Sequence, residues 1–335
     1  MITLKELSKK CEVSIATISN ILNGKSNVGE ATKKRVLQVI EETGYKPNFM
    51  ARGLRATKTK TIGLIVEDLT AFSSPLIIEG IMSHLEEKGY RTILENLRLY
   101  TKHPDAWTDI PKFSQIVNAA INQMMALKVD GIIYVAGHAR SICIDYELEN
   151  LSFVMAYAFS EKKDICCVNI DDEVSAFQMT DYLINNGKKQ IAIIAGDKDN
   201  LHTKYRLNGY KKALQKNNID FDESVVVYEN WKRDGGVSGT KKLFSTSKKF
   251  DAIFCFNDLM AAGCYDVLAE KNIVPGKDIS VVGFDNQSVC EYLKPNLTTM
   301  AISLSEIGYE AAKMLLDENF QNKLIPCKMI LRDSI

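Results

Sequence analysis

The chain has 335 residues, 46% hydrophobic and 25% charged, with 42 basic side chains balanced by 42 acidic ones. This composition specifies a soluble globular protein of two or three domains, and it excludes a disordered or fibrous chain. No apolar run approaches the ~20 residues of a membrane span and no signal-like segment opens the chain, so a cytoplasmic protein without a membrane partner is expected. Overall neutrality hides an asymmetry, because residues 1–60 hold 12 Lys/Arg against five Asp/Glu and residues 61–335 carry the compensating acidic excess. A compact basic head on an acidic body suits phosphate binding.

In chain order, Thr3-Leu-Lys-Glu6 has capping-box spacing and predicts a short helix ending near Lys10, with Leu4 and Leu7 inward. After the tight Cys11-Glu-Val13 link, Ser14 is a natural N-cap for a second helix running to Asn23. Its apolar face is Val13, Ile18, Ile21 and Leu22. Ile15, Ala16, Thr17, Ser19 and Asn20 face outward, with no carboxylate among them to repel phosphate. Two such helices and a turn predict a helix-turn-helix whose second helix enters a DNA major groove. Asn23-Gly24 is a turn signal, and Glu30 to Thr43 predicts a third helix, packed through Val36, Leu37, Val39 and Ile40 and ended by Gly44. Pro47 breaks the chain, and Asn48 caps a segment Phe49 to Arg55 too short to be a stable helix by itself.

From Thr61 short β-branched runs alternate with amphipathic helical stretches, which predicts parallel sheets covered by helices on both faces. The first set has strands at 62–66, 92–94, 131–135 and 153–155 and helices at 75–88 and 114–127; a second set is expected to begin at Val168. The second continues with strands at 191–195, 225–228, 252–256 and 279–284. Residues 96–113 are expected to form a long loop near a cleft or a dimer face.

Ile2-Thr-Leu-Lys-Glu-Leu7, Val13-Ser-Ile-Ala-Thr-Ile-Ser-Asn-Ile-Leu-Asn-Gly24, Val36 to Asn48, Ala51-Arg-Gly-Leu-Arg55, Pro295-Asn-Leu-Thr-Thr-Met300 and Leu331-Arg-Asp-Ser334 together resemble the LacI family of bacterial repressors. The resemblance implies a small all-α helix-turn-helix DNA-binding domain (1–47), a hinge helix and linker (48–60), and an α/β periplasmic-binding-protein-like body (61–335). The body is expected as two parallel-sheet lobes, lobe one over about 61–163 with a late segment 295–318, lobe two over about 164–294 and 319–335. The expected partner is double-stranded operator DNA, contacted by Thr3, Ser14, Ile15, Ala16, Thr17, Ser19, Asn20, Asn23, Arg52, Leu54 and Arg55. Leu54 matches the leucine that wedges into the minor groove. A homodimer is expected, since one short recognition helix reads too few bases to be specific.

Ligands of open parallel sheets lie beyond the carboxyl ends of the strands, where Asn257-Asp258, Asp285, His138 and Arg140 fall. Arg206, in an Arg-x-x-Gly-Tyr context, and Trp231 match pocket positions of the family. The expected effector contacts are Phe72, His138, Asp172, Arg206, Trp231, Asn257 and Asp285, which suit a mono- or oligosaccharide whose hydroxyls need donors and acceptors around an aromatic face. Asn257, Asp258 and Asp285 could instead cap the helices that follow them, and Asp171 and Asp172 are equally placed for capping or for ligand. Where the family carries paired aromatics after the first strand of the body, this chain has only Phe72, which disfavours a nucleobase; a nucleobase or a sugar phosphate is the alternative effector.

Enzyme motifs fail on spacing. Gly24-Lys25-Ser26 lacks the earlier glycine and strand of a phosphate-binding loop, and the four histidines form no metal-ligand spacing, so no catalytic residue, metal or cofactor is expected. The eight cysteines, without any C-x-x-C pair, read as buried reduced thiols. A solute-binding protein of transport would need an export signal and no basic head, the reverse of this sequence.

Overall fold

The computed structural model describes residues 2–22, 28–45, 58–103, 109–138, 140–144 and 151–335. The chain divides into a unit over Met1–Thr59 and a unit over Lys60–Ile335.

In the first unit, α1 (Leu4–Lys10), α2 (Ile15–Leu22) and α3 (Glu30–Thr43) close on a small core of Leu7, Cys11, Ile18, Ile21 and Val36. Thr3 and Glu6 form the reciprocal capping box expected of them. Ser14 Oγ accepts the Thr17 amide at 3.0 Å, which starts α2. Gly44 ends α3 at φ +60°, a conformation that costs little without a Cβ. Leu37 departs from expectation: it is 46% exposed, because only Val36, Val39 and Ile40 on that helix face the other two.

The second unit holds two six-stranded sheets. Its elements are β1 (Thr61–Val66), α4 (Ser74–Glu87), β2 (Arg91–Asn96), α5 (Leu99–Lys102), α6 (Ile110–Ala126), β3 (Gly131–Val135), β4 (Ser141–Ile142), β5 (Ser152–Ala156), β6 (Phe159–Ser160), β7 (Cys166–Asp171) and α7 (Asp172–Asn185). There follow β8 (Ile191–Ala195), α8 (Leu201–Lys216), β9 (Val226–Tyr228), α9 (Arg233–Ser245), β10 (Ala252–Cys255), α10 (Asp258–Glu270), β11 (Ser280–Asp285), α11 (Val289–Tyr292), β12 (Thr298–Ala301), α12 (Leu304–Asp317), β13 (Lys323–Pro326) and β14 (Lys328–Ile330). Sheet one runs β13-β7-β5-β3-β1-β2 with every pairing parallel; sheet two runs β14-β12-β11-β10-β8-β9 and is parallel except for the β12–β14 pair. Their central strands, such as β3 and β8, are buried and apolar on both faces, as parallel strands between helix layers must be.

The lobe boundaries differ from expectation. The strand at 166–171 does not open the second sheet; it pairs with β5 in the first, Val154 beside Cys166. The chain then crosses to lobe two at Asp171–Asp172, returns to lobe one between β12 and α12, and crosses again between β13 and β14. Residues 298–301 therefore belong to lobe two and 323–326 to lobe one. A run of buried β-branched residues carries no mark of which sheet it joins, so only long-range pairing decides. Residues 96–113 are also more structured than a loop: α5 occupies 99–102, and Asp109 caps α6 through the Lys112 amide at 3.0 Å, with Pro111 at the second helical position.

Candidate functional site

The carboxyl ends of the two sheets face a cavity of about 270 Å³. Phe72, His138 and Tyr157 line it from loops that follow β1, β3 and β5, and Asn200, His202, Arg206, Trp231, Asn257 and Asp285 line it from lobe two.

Arg206, on the buried face of α8, is 2% exposed. Its Nε donates to Asp172 Oδ1 at 2.7 Å, one Nη donates to the Phe256 carbonyl, and the other lies 3.8 Å from Asp285 Oδ1. The guanidinium carbon stands 3.5 Å from the centre of the Phe284 ring, with the Trp231 ring 5.7 Å away. Burial works against its charge, but Asp172 and Asp285 hold its pKa above the ordinary value. Asp172, 2% exposed, is likewise penalised by burial, yet His202 and Arg206 together hold it below the usual carboxylate range. Its second oxygen meets His202 Nδ1 at 2.7 Å.

A second pair of carboxyls lies beside this one. Asp258 accepts the Thr299 hydroxyl at 2.6 Å and the Gln287 amide at 2.7 Å, and Asp285 takes a bond from the Gln287 side chain at 3.2 Å. Burial pushes Asp285 up against the pull of Arg206, and the Asp258 charge adds to that rise. Asp285 also sits at φ +107°, a strained conformation for a residue with a Cβ, of the kind that persists at ligand sites.

Trp231 follows β9 at φ +63° and its carbonyl accepts Asn257 Nδ2 at 2.8 Å. Its indole lies over Gly196, where a Cβ would fall 1.8 Å from Trp231 Cε2. Asn257 caps α10 through the Met260 amide at 2.8 Å, so it is both cap and cavity wall. In the other acidic pair, Asp171 caps α7 through the Val174 amide while Asp172 points inward.

On lobe one, Glu67 is fully buried and accepts Arg140 on both oxygens at 2.5 and 2.9 Å, the Tyr134 hydroxyl at 2.7 Å and the Gly137 amide at 2.8 Å. Arg140 is thus a clamp on the loop after β3 rather than a cavity residue. The clamp sets His138, whose Nδ1 meets Tyr100 Oη at 3.0 Å. Burial and the Arg140 charge lower His138 to about 4, so its ring is neutral near pH 7.

In the first unit, α2 turns Ile18 and Ile21 into the core and leaves Ser14 and Ala16 exposed, with Ile15, Thr17, Ser19 and Asn20 half-buried. Thr3 is exposed at the start of α1. This is helix-turn-helix geometry with a polar outer face. Asn23, Arg52, Leu54 and Arg55 lie outside the described residues.

The model for bacterial regulatory proteins of the lacI family matches residues 3–48, and the periplasmic-binding-protein-like domain matches residues 180–335. Catabolite control protein A of Priestia megaterium is 30% identical over 317 residues, covering 94% of this chain and 91% of that protein. The chain belongs to the LacI family. Its fold matches the Lac repressor dimer bound to operator and the anti-inducer ONPF with a TM-score of 0.82 at 22% identity, over 99% of this chain and 98% of that one. A complex of the transcriptional regulator CelR with cellobiose matches at a TM-score of 0.64 and 25% identity, over all of both chains.

LacI-family members are transcriptional regulators and not enzymes, in keeping with the failed catalytic motifs. Of the effector residues expected from the sequence of this LacI-family chain, Phe72, His138, Arg206, Trp231, Asn257 and Asp285 share one cavity wall. Asp172 stands behind it, holding Arg206 and His202. Tyr157, Asn200 and His202 were not among the expected contacts. Tyr157 obeys the same strand-end rule, one residue past β5, and Asn200 announces itself as the cap of α8, accepting the His202 amide at 2.8 Å.

Proposed function

We propose that this protein is a cytoplasmic, dimeric repressor that binds a pseudo-palindromic operator and is released by a small saccharide closing the cleft between its lobes. The observation that carries the effector half is the cavity itself. An indole over Gly196, a guanidinium held between Asp172 and Asp285, and the Asn257 amide surround a space open to a polyol, whose C–H face stacks on the ring and whose hydroxyls meet paired donors and acceptors. The cellobiose bound by CelR supports a saccharide. The DNA half rests on the capped α1–α2 pair, on the basic charge of residues 1–60, and on the operator held by the Lac repressor dimer.

Coupling follows from linkage. A ligand that favours one lobe arrangement shifts the protein toward it, and operator affinity changes by the same factor. Three strand-to-helix or strand-to-strand crossings join the lobes, so their rotation has few covalent restraints. Leu54, Arg52 and Arg55 are assigned to a hinge that wedges the minor groove and holds phosphates.

The test is duplex binding by the full chain as salt is raised, then operator selection from a randomised pool, then release by saccharides. Each phosphate contact adds about −0.9 to the log–log slope. A slope of zero between low and moderate salt would remove the DNA-binding reading.

A further inference from the structure

We propose that the cleft takes an uncharged, hydroxyl-rich ligand that hydrogen-bonds His202 Nε2, and that it rejects the phosphorylated counterpart of the same ligand. This rests on the reading of the cleft as the effector site.

Two independent observations converge. His202 is 6% exposed and lines the cavity. Its Nδ1 lies 2.7 Å from Asp172 Oδ2, and Asp172 is held ionised by its neighbours, so the hydrogen of that bond sits on Nδ1. The opposite ring nitrogen, Nε2, is buried with no hydrogen-bond partner among the described residues. A buried polar nitrogen left unsatisfied is costly unless a ligand group pairs with it. With the Nδ1 hydrogen committed to Asp172, Nε2 is the ring atom left for a ligand, and a hydroxyl, which can both donate and accept, fits it.

The second observation is the charge inventory. Arg206 is the cation of the cavity wall, and its guanidinium is already divided among Asp172, the Phe256 carbonyl and Asp285. Asp172, Asp258 and Asp285 place three buried carboxyl groups against that single cation. The nearby Arg140 is held on both nitrogens by Glu67. A phosphate entering this cavity would lose its hydration without gaining an uncommitted cation, and the ionised Asp172 behind the wall would repel it. A neutral polyol meets no such cost.

The experiment uses the full chain, with thermal stabilisation and titration calorimetry against glucose, ribose, maltose and cellobiose, and against glucose 6-phosphate, ribose 5-phosphate and inorganic phosphate. At least one neutral saccharide is expected to bind and its ester to give no shift. Two substitutions of His202 then separate a ligand contact from a structural role. His202→Asn keeps an amide near Nδ1 for Asp172 and deletes Nε2; His202→Gln places an amide near Nε2 and gives up the Asp172 bond. A contact at Nε2 predicts about tenfold weaker saccharide binding for His202→Asn, with His202→Gln closer to the parent. The reverse order, equal binding by both, a phosphate ester binding more tightly than its parent sugar, or no binding by any neutral saccharide of the set overturns the proposal. Trp231→Ala distinguishes its failure from that of the cleft reading. A saccharide that still binds Trp231→Ala at parent affinity is not in the cleft, whereas one lost in Trp231→Ala but retained in His202→Asn refutes only the role of His202.

Discussion

The substitution Arg206→Met tests how the cleft is held together. Methionine keeps much of the contact with the Phe284 ring but removes the guanidinium, leaving Asp172 with His202 alone and Asp285 beside Asp258 with no cation. Breaking a buried ion pair by deleting one partner costs about 3–5 kcal/mol, because the remaining charge stays desolvated. A domain typically has about 5–15 kcal/mol in total, so the variant folds but with a much lower urea midpoint. Asp172→Asn should cost less, since Arg206 retains the Phe256 carbonyl and Asp285. The double variant Asp172→Asn/Arg206→Met should be less destabilised than the sum of the singles by about 2 kcal/mol, as contacting residues in one network couple. The pH dependence gives an internal check. In the parent, Asp172 has a depressed pKa, so its contribution is present above the ordinary value of 3.8 and is lost as pH falls through its folded value. Without the guanidinium its folded pKa rises, and stability is instead lost as pH rises, so the deficit of Arg206→Met should be largest near pH 7 and shrink toward pH 4. Urea unfolding of the full chain followed by circular dichroism at several pH values measures both effects. Additivity of the two substitutions within about 0.5 kcal/mol, or a deficit that does not change with pH, would refute the network.

Three further outcomes are expected. His138, lowered to about 4, refuses a proton that the unfolded chain takes up near pH 6.5, so its share of stability, up to about 3 kcal/mol, is lost as pH falls through that window; His138→Phe should flatten this part of the curve of urea midpoint against pH, and parallel curves would show that the ring titrates normally. Gly196→Ala puts a methyl 1.8 Å from Trp231 Cε2, so the indole must leave its seat; saccharide affinity should fall while operator binding persists, and calorimetry showing parent affinity would mean the indole is not a binding surface. Asn20, half-buried on the outer side of α2, has an amide suited to adenine N6 and N7, so selection from a randomised operator pool should shift toward G·C at its position for Asn20→Arg, by about 1–3 kcal/mol; an unchanged base preference would assign Asn20 to phosphate.

The sequence by itself determined what depends on neighbours along the chain. The Thr3–Glu6 capping box, the Ser14 cap, the inward Ile18 and Ile21, and the Gly44 stop are local chemistry, and each appears where its residues require. Strand ends were also legible, because ligands of parallel sheets gather beyond them, which placed His138, Asn257 and Asp285 at the cavity, whereas Phe72, Arg206 and Trp231 came from the family resemblance. Tertiary structure decided what depends on partners far away. Whether Cys166–Asp171 joins sheet one or sheet two is settled by its pairing with β5 and β13, and no property of that apolar run states it. Which of Asp171 and Asp172 caps and which faces inward is settled by His202 and Arg206, 30 and 34 residues beyond Asp172. Arg140 moves from cavity residue to clamp because Glu67, buried 73 residues earlier, takes its guanidinium on both carboxylate oxygens. Burial converts such long-range pairings into requirements, since a charge or lone pair removed from water must find its partner wherever the fold places one.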